Sequence, residues 1–339
     1  MKMKQWLRQL TQSSEKRALP LLSYPCISLL GTTVKELTND SKLQAEGMRL
    51  VAERTPSAAA VSMMDLSVEA EAFGAKIKGS DYEVPTVTGA VVSDKGSADE
   101  LPVPSVGAGR TGKYVEAIGK AVSLITDRPV FAGVIGPFSL AGRLMDVSEA
   151  LVACYTDPET VHIVLEKSVL FLFEYIKAYK SAGANGIIMA EPLAGLLSPE
   201  MAEIFSEPYV RRLAEETADD DFIIIYHNCG DNTIKITESI LRTGCSAYHF
   251  GNSVSMLEVL QKLPPDVIAM GNIDPVSQFR SGTPDSVYAQ TKKLLEECGA
   301  YPNFVLSSGC DIPPCTPWEN IDAFFAAAEQ HRAQQVTNL

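Results

Sequence analysis

The chain has 339 residues, 46% of them hydrophobic, and is therefore long and apolar enough to form one large α/β barrel with insertions. Its formal net charge of -13 at pH 7 argues against a surface for nucleic acid or anionic membranes. No apolar run approaches the roughly 18 residues of a membrane span, so we expect neither a nucleic-acid partner nor a membrane partner.

The amino-terminal residues and the cysteines bear on location. Residues 1–17 carry charges but no apolar core and no small-residue cleavage site, so they predict a helical extension and not a signal peptide. Seven cysteines form an odd set without dense regular spacing. Reduced thiols explain this usage most simply, and we expect a cytoplasmic protein.

Apolar runs alternate with helical periodicity in the first third of the chain. Residues 18–24 and 58–64 predict the first two strands, and the second ends at Asp65. The pattern over 34–54 predicts a helix between them. Residues 75–106 are rich in Gly, Ser, Pro and Val, which predicts a hairpin-like insertion after strand 2.

The alternation continues to the end of the chain. Further strands are predicted, in chain order, at 129–136, at 184–190, in the apolar run that begins at Phe222, and at 247–250, 267–270 and 304–308. Helices are predicted over 114–126 and, in two parts, over 148–183, where residues 157–159 open the second part. Others are predicted after Ser198, from about Thr233 and Ser255, and over 283–298. The closing helix is predicted to have Thr316 as its N-cap. About eight strand–helix units predict a single (β/α)8 TIM-barrel domain over 1–339. The phosphate-binding glycine patterns of open nucleotide-binding sheets do not follow the first strand.

Polar side chains recur where the predicted strands end. They are Asp65, Glu191, His227, Cys229, His249, Asp274 and Cys310. Barrel enzymes keep their chemistry at the carboxyl ends of the strands, so this shared placement predicts the active site.

Three of these residues suggest a metal site. His227 and Cys229 lie two apart, so on an extended backbone they point the same way, and Cys310 ends another apolar run. Imidazole and thiolate are ligands of a borderline metal such as zinc. Three protein ligands leave one tetrahedral position open, as in catalytic sites, and two thiolates suit alkyl transfer to a substrate thiol.

A structural interpretation of the same residues stays open. A single cysteine is more often a small buried hydrophobe, and a single histidine is more often structural. Cys26, Cys154, Cys245 and Cys298 are expected in the core or in helices. Cys315 joins the metal site only if its Pro-rich loop folds back.

The set His227-Asn228-Cys229 with Cys310 resembles the His-x-Cys…Cys zinc motif of the methylcobamide:coenzyme M methyltransferase group. These corrinoid-dependent methyltransferases belong to the uroporphyrinogen decarboxylase superfamily of TIM barrels. Residues 65–74, 136–141 and 271–275 are also similar, so the resemblance extends over nearly the whole chain.

The resemblance implies a function and roles for the residues. Zinc would be held by His227, Cys229 and Cys310. A methyl group would pass from a methylcobamide, carried on a separate corrinoid protein, to a thiol such as coenzyme M or to a pterin such as tetrahydrofolate. Asp274 is expected to be a further catalytic residue. Substrate contacts are expected from Asp65, Glu191, His249 and Tyr24.

Two alternatives remain at this point. The first is a metal-free decarboxylase of the same superfamily, with Asp65 or Asp274 as the acidic group. Such decarboxylases use an Arg-rich segment after the first strand, whereas residues 23–31 contain no arginine. The second is a non-catalytic barrel that docks a corrinoid protein. Arg143 and Lys35 are either anion contacts or solvated surface charges.

Overall fold

The computed structural model describes residues 2–12 and 17–337, so part of the predicted extension at 1–17 lies outside the described residues. The strands are β1 (Ala60–Val61), β2 (Lys76–Lys78), β3 (Thr86–Thr88), β4 (Val130–Ile135), β5 (Gly186–Ala190), β6 (Ile223–Asn228), β7 (Ala247–Phe250), β8 (Ala269–Ile273) and β9 (Phe304–Ser308). The first helices are α1 (Met3–Gln12), α2 (Cys26–Leu30), α3 (Val34–Leu37), α4 (Ser41–Arg54), α5 (Val68–Ala72), α6 (Lys95–Glu100), α7 (Thr111–Leu124) and α8 (Pro137–Met145). They are followed by α9 (Val147–Thr156), α10 (Pro158–Ser181), α11 (Pro199–Phe205), α12 (Glu207–Thr217), α13 (Thr237–Arg242), α14 (Met256–Lys262), α15 (Pro284–Cys298) and α16 (Trp318–Thr337). A 3-10 turn spans Pro192–Leu196, and a π-helical turn spans Pro275–Arg280.

Seven strands form one parallel sheet in the order β1-β4-β5-β6-β7-β8-β9. Each strand pairs with the next in this order, and helices lie between successive strands along the chain. The predicted parallel α/β barrel-like class is thus confirmed. A separate antiparallel hairpin, β2 with β3, lies within the segment predicted as an insertion.

The first predicted strand is instead an extended segment that bridges the two outer strands of the sheet. The amide of Ala58, just before β1, donates to the Ala18 carbonyl at 2.9 Å, and the Leu19 amide donates to the Leu306 carbonyl of β9 at 2.9 Å. Pro20 has no amide hydrogen, which interrupts a regular ladder. We call residues 18–22 the closure segment. The described sheet therefore has seven strands and this segment, where eight strands were predicted.

Strand alternation divides the apolar residues between two cores. Ile223 and Ile225 of β6 belong to the core inside the barrel, whereas Ile224 and Tyr226 pack toward the surrounding helices. A side chain two residues beyond Ile225 therefore points into the barrel at its carboxyl end. That residue is His227.

Helix α1 contributes to the inner core. Its buried residues Met3, Trp6, Leu7 and Leu10 recur at helical spacing and belong to the same cluster as the barrel interior. The Trp6 ring lies 5.6 Å from the ring of Phe131 on β4, measured between centroids. The amino-terminal helix thus packs against the inner core at the end of the barrel away from the polar strand ends.

Capping side chains decide several helix boundaries, of which one confirms a prediction and two differ from it. Ser198 accepts a hydrogen bond from the Met201 amide at 3.3 Å, which confirms it as an N-cap. The helix predicted over 34–54 is divided into α3 and α4, because Asp40 caps the amides of Lys42 and Leu43 and starts a new helix. Thr316 is not an N-cap: α16 begins at Trp318, and the Thr316 hydroxyl has no hydrogen-bond partner among the described residues.

No helix in the described ranges is long and apolar enough to cross a bilayer.

We expect Trp6→Ala to lower the free energy of unfolding by about 3 kcal/mol, since it leaves a cavity between α1 and the inner core. Urea unfolding followed by circular dichroism measures the change. The control is Gln5→Ala, an exposed position of the same helix, which should change stability by less than about 0.5 kcal/mol. Equal midpoints for the two variants would show that α1 does not contribute to the barrel core.

Candidate metal centre

Three side chains from distant parts of the chain converge at the carboxyl end of the sheet. One ligand atom of each of His227, Cys229 and Cys310 lies within 4.8 Å of the other two, and Cys310 Sγ is 3.5 Å from His227 Nε2. A tetrahedral zinc ion places nitrogen and sulfur ligands about 3.6–3.8 Å from one another. The three groups therefore fit a single zinc ion after a movement of about 1 Å or less.

Strand register explains how the histidines meet. His227 is paired with His249 of β7 on one side and with Ala190 of β5 on the other. His227 and His249 are each 1% exposed, because both point into the barrel. Cys229 lies just beyond β6 and is half-buried, as is Cys310 beyond β9. The two cysteines, which follow the ends of β6 and β9, thus lie nearer the mouth of the barrel than His227 does.

Asn228 holds the turn that follows His227, although it was not among the predicted site residues. Its Nδ2 donates to the carbonyl of Glu191 at 2.9 Å, and its Oδ1 accepts from the Gly230 amide at 3.0 Å and the Thr233 hydroxyl at 2.7 Å. Asn228 is fully buried on the helix-facing side of β6. A buried amide between two candidate ligands was the available signal for this role.

Gly251 leaves the space that Cys229 occupies. A Cβ on Gly251 would lie 2.4 Å from Cys229 Cβ, closer than any side chain allows. The loop after β7 therefore approaches the Cys229 backbone directly.

The two thiols are coupled to each other. A hydrogen bond from the Cys310 thiol lowers the pKa of Cys229. The same bond, together with burial, raises the pKa of Cys310 to about 12. A cation bound between the two sulfurs would stabilise both thiolates.

His249 lies behind the ligand histidine. Its Nδ1 is 2.8 Å from His227 Nδ1, and its Nε2 is 2.7 Å from the Ser307 hydroxyl. Burial lowers the pKa of His249 well below its usual value, and the neighbouring His227 lowers it further. Both ring nitrogens of His249 are therefore engaged within the protein.

Asp65 belongs to a buried ion-pair network. Its carboxylate accepts from Arg110 at 2.5 Å and from the Tyr114 hydroxyl at 2.7 Å, and Arg110 also pairs with Glu71 at 2.6 Å. Ser67 donates to the other Asp65 oxygen. Arg110 was not predicted, because 45 residues separate it from Asp65 and nothing local marks the pair.

The other predicted carboxylates cap helical turns. Glu191 is fully buried and accepts from the amides of Phe138 and Ser139 at the start of α8, at 3.0 and 2.6 Å. Burial nevertheless raises its pKa to about 7. Asp274 accepts from the amides of Val276 and Ser277 at 2.8 and 2.9 Å.

The remaining candidates have varied surroundings. Tyr24 is fully buried, and its hydroxyl has no hydrogen-bond partner among the described residues. Four cysteines are buried, as expected: Cys26, Cys154, Cys245 and Cys298. Cys315 is exposed and lies outside the group of three ligands. Arg143 is half-buried and Lys35 is exposed.

The structure thus brings His227, Cys229, Cys310 and His249 together. It gives Asp65, Glu191 and Asp274 partners within the protein. The catalytic role of Asp274 and the substrate contacts of Asp65, Glu191, His249 and Tyr24 stay predictions.

Comparison with known proteins gives the family. The model of the uroporphyrinogen decarboxylase (URO-D) family matches residues 22–331. The chain belongs to the uroporphyrinogen decarboxylase family. Within this family, the chain is similar to proteins that are named methyltransferases and not decarboxylases. A methylcobamide:CoM methyltransferase of Methanosarcina mazei is 29% identical over 276 residues, which are 79% of this chain and 78% of that protein.

Two further relatives come from the same organism. A methylated-thiol–coenzyme M methyltransferase of Methanosarcina mazei is 28% identical over 298 residues, which are 86% of this chain and 77% of that protein. The solved structure of a methyltransferase from Methanosarcina mazei superposes with a TM-score of 0.85 at 23% identity, covering 97% of this chain and 99% of that one. This last likeness supports the barrel-like fold.

A buried carboxyl beside Asp65 gives the stability of the fold a pH dependence. Glu69 is 2% exposed, one of its oxygens accepts from the Ile135 amide, and the other has no partner among the described residues. Burial raises its pKa from 4.5 to about 8. Between these values the folded chain holds a proton that the unfolded chain releases, so stability falls as the pH rises.

We therefore expect Glu69→Gln to remove a slope that approaches about 1.4 kcal/mol per pH unit between about pH 5 and 8. Urea unfolding at several pH values, compared with the wild type, measures the difference. Glu100→Gln, at an exposed position, serves as the control and should follow the wild type. Parallel curves for Glu69→Gln and the wild type would contradict a protonated Glu69.

Proposed function

We propose that the chain is a zinc-dependent methyltransferase that moves a methyl group from a methylcobamide, carried on a corrinoid protein, to a thiol such as coenzyme M. The single observation that carries this proposal is the convergence of His227, Cys229 and Cys310 within 4.8 Å. Relatives named for methylcobamide, methylated thiols and coenzyme M support the choice of donor and acceptor.

The donor atoms of the group suit a zinc ion with an open position. His227 Nε2 and the sulfurs of Cys229 and Cys310 would hold the metal, leaving one tetrahedral position for a substrate thiol. Zinc bound there lowers the pKa of such a thiol, so that a thiolate nucleophile exists at neutral pH. This ligand set favours a thiol acceptor over a pterin such as tetrahydrofolate.

The burial of the three ligands indicates the side from which each substrate reaches them. His227 is buried on the barrel side, whereas Cys229 and Cys310 are half-buried, so we infer that the thiol enters from the side of the sulfurs. Displacement at a methyl carbon needs the nucleophile and the leaving group in line. The methylcobamide would therefore approach from the mouth of the barrel. The sulfur–carbon bond forms as the cobalt–carbon bond breaks, and the cobalt of the leaving cobamide keeps the electron pair of the broken bond.

A reducing compartment is part of the proposal. Two thiolate ligands require reduced cysteines, and all seven cysteines are free thiols in the structure. Free thiols are typical of cytoplasmic proteins. We therefore propose a cytoplasmic methyltransferase that works with a separate corrinoid protein.

Decarboxylation of a porphyrinogen is the second candidate, because the family carries that name. The polyanionic substrate of that reaction needs cationic side chains, and residues 23–31 contain neither arginine nor lysine. Asp65, its candidate acidic group, already accepts from Arg110 and Tyr114. Release of carbon dioxide from a porphyrinogen would favour this reaction over methyl transfer. Binding of a corrinoid protein without turnover of any thiol or pterin would favour a docking barrel.

We expect the purified protein to bind about one zinc ion per chain and to methylate coenzyme M from methylcobalamin. Cys310→Ala removes a ligand, so zinc affinity and methyl transfer should both fall by more than about 100-fold. Metal analysis after dialysis and a thiol-consumption assay measure the two effects.

Cys315→Ala is the matched control, because this exposed cysteine lies five positions further along and outside the ligand group. It should retain both zinc and activity. Full activity of metal-free wild-type protein, or a Cys310→Ala variant that keeps its zinc, would overturn the proposal.

A further inference from the structure

A chain of buried hydrogen bonds leads from the candidate metal ligand to the closure segment. His227 Nδ1 is 2.8 Å from His249 Nδ1, His249 Nε2 is 2.7 Å from Ser307 Oγ, and Ser307 donates to the Leu19 carbonyl at 2.7 Å. All four residues are at most 1% exposed. They belong to β6, β7, β9 and the closure segment, so the chain of bonds links β7 to β9 across the inside of the barrel, past β8.

The bond between Ser307 and the Leu19 carbonyl determines which atom donates in each of the other hydrogen bonds. A backbone carbonyl only accepts, so the Ser307 hydroxyl uses its single hydrogen on Leu19. The Ser307 oxygen must then accept from His249, which places a hydrogen on His249 Nε2. A neutral imidazole with this hydrogen has its lone pair on Nδ1.

The tautomer of His249 in turn determines the tautomer of the candidate metal ligand His227. His249 Nδ1 can only accept, so His227 donates through Nδ1–H. The lone pair of His227 therefore lies on Nε2, the atom that is 3.5 Å from Cys310 Sγ. With the opposite tautomer, His227 would present an N–H to the sulfurs and could not bind a cation there.

We propose that Ser307 and the Leu19 carbonyl, acting through His249, fix the tautomer of His227 that leaves Nε2 free for the metal. His249 and Ser307 are positioning residues in this account, since they act on the ligand and not on a substrate. Outer partners of metal-bound histidines commonly set ring orientation and tautomer in this way. The identity of the metal rests on the proposed function, but the tautomer is a property of the metal-free protein.

The proposal also gives the closure segment a part in metal affinity. Leu19 donates to Leu306 and accepts from Ser307, so both its amide and its carbonyl are bonded to β9. Ser308, the next residue of β9, makes a comparable bond in which its hydroxyl accepts from the Leu21 amide at 3.0 Å. The Ser308 hydroxyl forms no hydrogen bond with either histidine in the described part of the chain. Ser308 is thus a matched control for Ser307.

The direct test is the tautomer of His227 in the metal-free wild-type protein. The chain has four histidines, so ¹⁵N-histidine labelling and long-range ¹H–¹⁵N correlation spectra resolve each ring, with single His→Gln variants for assignment. We expect a protonated Nδ1 and an unprotonated Nε2 on His227, and a protonated Nε2 on His249. A hydrogen on His227 Nε2 in the wild type would overturn the proposal, whatever the protein binds.

The second test uses Zn²⁺ alone, in competition with a chromophoric chelator. Ser307→Ala removes the acceptor of His249, so we expect mixed His227 tautomers in the spectra and a loss of about 10–100-fold in zinc affinity. Ser308→Ala breaks the neighbouring closure bond and should keep the wild-type tautomer, with zinc affinity within about threefold.

The outcomes separate this inference from the proposed function. The expected tautomer in a wild-type protein that binds no zinc would refute the zinc enzyme and leave the positioning role standing. Equal affinity losses for Ser307→Ala and Ser308→Ala, with an unchanged His227 tautomer, would assign Ser307 to barrel closure only and contradict the inference.

Discussion

The two-residue repeat of a β-strand is the constraint on which the candidate site depends. Alternate residues of β6, β7 and β9 face the inside of the barrel, where they are apolar along most of the strand. At the carboxyl end, the same alternation points His227, His249 and Ser307 inward, each two residues after an inward-facing Ile, Ala or Val of its strand. A one-residue slip in register would turn each polar side chain toward the helices. The parallel ladder therefore determines where the polar atoms meet.

Convergence also requires the barrel to close. Cys310 follows β9, which is separated from β6 in the sheet by β7 and β8, so its loop must reach across the ends of these two strands. The Gly309 amide donates to the Ile273 carbonyl at 2.6 Å, and the Asp311 carboxylate accepts from the Met64 amide at 3.2 Å. These bonds attach the Cys310 loop to the ends of both β8 and β1. Loop geometry and sheet closure together hold the Cys310 sulfur beside His227.

The sequence was informative where chemistry and local pattern coincide. His227, Cys229 and Cys310 follow apolar runs that end in Gly or polar residues, and each run became a strand, so the ligand set could be predicted. The number of strands was harder to predict from the sequence. Residues 18–22 look like a strand, but Pro20 and bonds through Ser307 and Ser308 replace the regular ladder. Long-range partners such as Arg110 for Asp65, or Ser307 for His249, depend on register and leave no local signal.

X-ray absorption at the zinc K-edge of the zinc-loaded protein tests the central claim most directly. If His227, Cys229 and Cys310 hold one ion, the first shell contains two sulfurs at about 2.3 Å and one imidazole nitrogen at about 2.0 Å. The fourth neighbour is then a light atom without substrate and a third sulfur when coenzyme M is added. A first shell with no sulfur, or with only one, in the substrate-free protein would contradict the account.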